Sequence, residues 1–182
     1  MAAQASDTYQ TFDPASLTEL AVLLDAHRQA VLATLNPDSG APYTAMTAYA
    51  MAGDRLADGF LVHLSNLSAH KHHLRRDGRA SLIVFEPDDG QRETLQHRRV
   101  ALDCAAEFLV KDSDDCAAAK ERYLAKFPGH KVMFGLPDFD LIRLMPRAGI
   151  LNAGFGRAYR VTADDMNVVV FVDNPHPHRR PQ

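Results

Sequence analysis

The spacing of apolar residues divides the chain into segments of two periods. Leu17, Leu20, Ala21 and Leu24 recur three and four residues apart after Asp13-Pro14, an N-cap oxygen followed by a proline at the first helical position; this predicts an amphipathic helix through about Gln29. From Ala30 to Leu35 the chain is short and apolar, Pro37-Asp38-Ser39-Gly40 supplies turn chemistry, and Pro42 to Ala50 resumes, which reads as a hairpin. Phe60 to Leu64 predicts a third strand, Ser68 to Arg76 a basic helix, and Arg79 to Glu86 a fourth strand. Residues 87 to 94 are polar and read as an exposed loop before a long strand from Gln96 to Val110.

The segment from Asp112 to Lys126 opens with acids, closes with a lysine and carries Cys116, Ala119, Tyr123 and Phe127 on one face, so it predicts a helix that Pro128-Gly129 ends. Phe139 to Leu144 predicts a strand, and Gly149 to Tyr159 a further short strand around a Gly-Phe-Gly turn. Strands joined by hairpins, without one helix per strand, argue for an α+β fold: an antiparallel barrel with flanking helices. Residues 1–12 read as a flexible N-terminal segment, 13–172 as a single domain, and 173–182, rich in proline, histidine and arginine, as a loose tail.

Composition narrows the function classes. A net charge of −3 and a pI near 6.3 argue against a nucleic-acid partner. No apolar run approaches the length of a membrane span and the N-terminus lacks a secretory pattern, so the expectation is a cytoplasmic protein with no membrane contact. The two cysteines, Cys104 and Cys116, lack a second pair and read as reduced structural thiols.

Four groups of residues carry candidate chemistry. Ser65 and Ser68, at the mouth of a helix that bears His70 and Lys71 one turn in, suit a phosphate monoester, though the same residues also suit a solvated basic helix with a serine cap. His70 and His73 share a helix face and Asp77 follows four residues later, but three well-placed ligands do not emerge, so no metal site is expected. Arg98 and Arg99 are adjacent on a strand and must point to opposite faces, so one of them can meet a bound anion. Ala153-Gly154-Phe155-Gly156-Arg157 lets a turn present Phe155 and Arg157 at a rim. There is no nucleophile elbow or phosphate-binding loop; a cofactor would have to bring the reactive group.

Taken in order, Gly40-Ala41-Pro42-Tyr43, Leu64 to His70, Arg79 to Val84, Arg99 to Leu102, Arg122-Tyr123-Leu124, Arg143-Leu144 and Gly154 to Ala158 resemble the pyridoxamine 5′-phosphate oxidase-like split barrels that bind FMN, especially the branch grouped with haem-utilisation proteins. The resemblance spans roughly residues 15–160. It implies a Greek-key split β-barrel, a homodimer, a small-molecule substrate or electron donor, and an FMN-dependent oxidoreductase. It further implies a cofactor site of Ala45, Met46 and Thr47 through their backbone, Ser65, Ser68, His70 and Lys71 at the phosphate, and Arg99, Phe155 and Arg157 around it. Ala45 departs from the Ser or Arg usual there, His73 from Asn and Ala153 from Gly. Two alternatives stand beside this reading. One is a haem-handling protein with His63, His70 or a tail histidine as axial ligand; the other is a non-catalytic flavin-binding module. The short C-terminus lowers the expectation of haem degradation.

Overall fold

A computed structural model describes residues 9–169 and Phe171. Helix α1 (Pro14–Ala26) starts where Asp13 accepts a hydrogen bond from the Ser16 amide at 2.7 Å. It stops three residues short of the expected end because other elements capture its last carbonyls. The Tyr49 hydroxyl donates to Leu24 O at 2.6 Å, and Lys126 Nζ donates to His27 O at 2.7 Å.

Eight strands follow: β1 (Gln29–Leu35), β2 (Pro42–Ala48), β3 (Ala50–Met51), β4 (Phe60–Leu64), β5 (Arg79–Phe85), β6 (Arg99–Phe108), β7 (Asp140–Asn152) and β8 (Ala158–Val161). Helix α2 (Ala69–Arg76) lies between β4 and β5, α3 (Asp114–Lys126) between β6 and β7, and α4 (Ala163–Val168) after β8. All strand pairs are antiparallel in one sheet of order β2-β1-β5-β6-β7-β4-β3, with β8 also on β7. The architecture is the α+β split barrel that the sequence implied.

The split lies on β7. Asp140–Leu144 pair with β4 and Gly149–Asn152 pair with β8 along one edge, while β6 runs along the other. The separate strands expected at Phe139–Leu144 and Gly149–Tyr159 are therefore a single 13-residue strand plus β8. Pro146 does not interrupt it, because the proline falls between those two pairings, where the β6 register also shifts between Asp103 and Cys104. At Gly149 a Cβ would approach Ala101 O to 2.5 Å, so close strand packing excludes any side chain. The expected strand Pro42–Ala50 is divided too: after Ala48 the chain leaves β1, and Ala50–Met51 pair with β4.

Alternate residues of the strands fill the barrel. Ala30, Leu32, Leu82, Val84, Val100, Leu102, Ile142, Leu144 and Leu151 point inward with Leu20, Leu23 and Leu24 of α1. Helix α4, not anticipated, opens with a Thr162–Asp165 capping box and buries Met166. Among the described residues no helix is long and apolar enough to cross a membrane. The tail residues 173–182, with His176 and His178, lie outside the described residues, as does most of the N-terminal segment.

Candidate functional site

Strand alternation leaves the other face of β2, β1, β5, β6 and β7 only partly covered by the described residues. Met46, Val31, Ile83, Ala101 and Ile150 stand opposite one another in one continuous cross-strand row. Four strand spacings make the row about 19 Å wide. It is apolar throughout, and Met46 is 64% exposed. Phe85 and Arg99 form the adjoining cross-strand pair, with Asn152 beyond them. An open apolar strip of this extent is a surface built to be covered.

The opposite side of β2 meets α2. Thr34 Oγ1 lies 2.9 Å from His70 Nδ1 and 3.0 Å from His73 Nδ1. One hydroxyl hydrogen serves two rings, so Thr34 donates to one neutral imidazole and accepts from the other. Tyr43 sets its ring edge-on against both histidines. His70 is buried, and burial followed by the neighbouring His73 pushes its pKa down to about 4, against a lesser upward pull from the Ala45 backbone beside the ring. His70 is thus an uncharged ring wedged between β1 and β2.

Lys71 is also turned inward. It is 2% exposed, and its Nζ lies 2.9 Å from Asp140 Oδ2 and donates to Asp138 O. Arg75 and Lys111 bind the same carboxylate. At the mouth of α2, Ser65 Oγ accepts from the Leu67 amide, while the Ser68 side chain makes no capping bond. The helix mouth therefore keeps its hydroxyls, but both predicted cations beside it are spent: one is neutral and the other is ion-paired.

The remaining expected residues lie elsewhere. Arg99 shares the open face with Ala101, and its guanidinium donates to His97 O at 3.5 Å; Arg98 is bound to Glu86, with Nε 2.7 Å from Oε1. Arg99 pairs with Phe85, whereas Thr34, under His70, pairs with Ala80, so five residues of strand, about 17 Å, separate Arg99 from the α2 mouth. Phe155 is exposed on the β7–β8 turn, where Gly154 and Gly156 have φ of +122° and +71°. Arg157 reaches back to Glu19 of α1 at 3.2 Å. Ala45 and Thr47 share the α2 side of β2, and Met46 the open side. The expected residues thus fall into two groups on either side of the edge strand β2, and the described residues do not bring them together.

The sequence reading missed the surroundings of His63 and missed His97 altogether. His63, one of the axial-ligand alternatives, stacks on Phe134 at 3.9 Å and lines a cleft of about 380 Å³ with Lys111, Lys120 and Phe139; burial above all pushes its pKa down to about 4. His97, never singled out, is buried with neither ring nitrogen hydrogen-bonded, beside Asp88 and Asp89. The Asp-Asp pair eight and nine residues before a histidine was its only trace in the sequence.

Comparison with known proteins adds family context. A family model described as pyridoxamine 5′-phosphate oxidase matches residues 17–152. The haem oxygenase HutZ of Vibrio cholerae serotype O1 is 29% identical over 127 residues, covering 68% of this chain and 69% of that protein. A haem binding protein from Mycobacterium smegmatis superposes with a TM-score of 0.73 at 24% identity, over 86% of this chain and 61% of that one. ChuZ of Campylobacter jejuni gives 0.74 at 20% identity, over 95% and 69%. The two structural likenesses bear on the fold alone.

Proposed function

Because the chain belongs to the pyridoxamine 5′-phosphate oxidase family, we propose that it binds a planar redox cofactor against its open sheet face, in a homodimer whose second copy completes the site, and that the cofactor is haem. The observation that carries this choice is the internal use of the cations near α2. A flavin phosphate is a dianion that needs fixed positive charge as well as helix N–H groups. Here the Lys71 ammonium is committed to Asp140 and His70 is uncharged. The open face offers what a macrocycle needs instead: an apolar strip from Met46 to Ile150, bordered by the Arg99 guanidinium, which suits a carboxylate side chain. The likeness to a relative named as a haem oxygenase supports the same reading.

A bound haem supplies an iron centre for electron exchange. The chain's own residues would hold it: the apolar strip would keep water from one side of the group, and Arg99 would pair with a carboxylate at its edge. A second reading, an FMN-dependent oxidoreductase, is favoured by the Ser68 side chain, which leaves the α2 N-terminus open to an anion. The two separate on titration of the untagged full chain with haemin and with FMN. The haem reading expects a saturable Soret shift and FMN affinity at least tenfold weaker. Stoichiometric quenching of FMN fluorescence with no Soret shift overturns it in favour of the oxidoreductase.

A further inference from the structure

The loop between β5 and β6 folds back on itself and brings Asp88 and Asp89 against the ring of His97. Nε2 of His97 lies 3.4 Å from Asp88 Oδ1 and 3.9 Å from Asp89 Oδ1. The three candidate ligand atoms all lie within 4.8 Å of one another. His97 is only 5% exposed, yet both its ring nitrogens lack a hydrogen-bond partner. Leaving a buried polar ring unsatisfied is costly, so an imidazole held in this way and directed at two carboxylates signals a ligand between them.

We infer that Asp88, Asp89 and His97 bind one divalent first-row metal ion. One imidazole nitrogen and two carboxylate oxygens make a donor set suited to such ions, with zinc as the natural probe. Tetrahedral ligands about 2.1 Å from a zinc ion stand roughly 3.4 Å apart. The His97–Asp88 separation already has this value, and Asp89 has to close by about half an ångström. The loop backbone aims both carboxylates: the Gly90 amide donates to Asp88 Oδ1, and the amides of Gln91 and Arg92 donate to Asp89 Oδ1. Asp88 Oδ1 keeps a further lone pair for a metal, whereas Asp89 Oδ1 takes one by releasing the longer of its two amide bonds, that from Arg92 at 3.2 Å. Of the cations nearby, Arg98 is balanced by Glu86, while Arg92 is shared between Glu86 and Oδ2 of Asp89 itself, which leaves Oδ1 as the oxygen facing the ion. Three protein ligands leave a fourth position for water. The ion closes the loop onto the residue that precedes Arg98 and Arg99, and so fixes the start of β6 beside the open face.

The test is calorimetric titration of zinc chloride into the untagged, chelator-stripped full chain, in a variant also carrying His176→Ala and His178→Ala, which removes the tail histidines. One equivalent should bind, and tryptic cleavage at Arg92 should slow on binding. Asp88→Asn changes a side chain that is 62% exposed and should leave the fold intact while weakening zinc more than tenfold; His97→Ala should abolish binding. Absence of stoichiometric zinc in the tail variant, or zinc affinity unchanged by Asp88→Asn, overturns the site.

Discussion

Replacing Asp140 by Asn should destabilise the protein far more than removing the lysine it binds. Asp140 is 13% exposed and holds three cations: Lys71, Arg75 and Lys111. Burial raises its pKa, but hydrogen bonds from Lys71 and Arg75 outweigh burial and hold the carboxyl below its ordinary range. Asparagine keeps the shape and loses the charge. The Lys71 ammonium, 2% exposed, would then have only neutral oxygens, the Asp138 carbonyl and the new side-chain amide, and a buried charge without a counter-charge costs about 3–5 kcal/mol. Lys71→Met removes the buried charge itself and leaves Asp140 with two partners; its cost should be about 1 kcal/mol. Urea unfolding at neutral pH measures both, and for a domain of this size a 3 kcal/mol loss also lowers Tm by roughly 6–12 °C. The double variant should be more stable than Asp140→Asn alone, because it no longer contains the stranded ammonium. A loss below 1 kcal/mol for Asp140→Asn, or a greater loss for Lys71→Met, would refute the account of Lys71 as a structural cation.

Three further outcomes follow from the same geometry. Arg99→Ala should weaken cofactor binding roughly ten- to a hundredfold, the worth of one charge-assisted hydrogen bond, whereas Arg98→Ala should leave it unchanged and cost about 1 kcal/mol of stability through Glu86; titration of both variants decides which strand face meets the cofactor. Met46→Glu places a charge at the β2 end of the open strip, so if the proposed homodimer covers this face, sedimentation equilibrium should show a dimer for the unaltered chain and a folded monomer for the variant. His63 and His70 have folded-state pKa values near 4, below the ordinary 6.5, so the unfolded chain takes up protons first as pH falls. Stability should be full above about pH 6.5 and decline toward pH 4, by up to about 1.4 kcal/mol per pH unit for His70 and less for the partly buried His63; a thermal midpoint unchanged between pH 7.5 and 5 contradicts this.

Local information determined most of the elements. The Asp13-Pro14 start of α1, the alternation in β1 and β5, and the serine-capped, acid-led α3 each depend on neighbours a few residues away, and so are legible in the chain. The candidate residues at the α2 mouth were legible as types, but their charge state was not. A basic helix reads as a phosphate cradle until Asp140, 69 positions beyond Lys71 in sequence, takes the ammonium, and until burial against Thr34 makes His70 neutral. The end of α1 was misjudged because Tyr49 and Lys126 stop it from outside, and β7 was broken in two because Pro146 is harmless only where neither β4 nor β8 pairs. His97 stayed invisible because its meaning lies in a turn that returns Asp88 and Asp89 to it. Periodicity records which face of an element is apolar. Which side chains meet across that face, and so which charges remain for a ligand, is decided only when distant strands are brought into register.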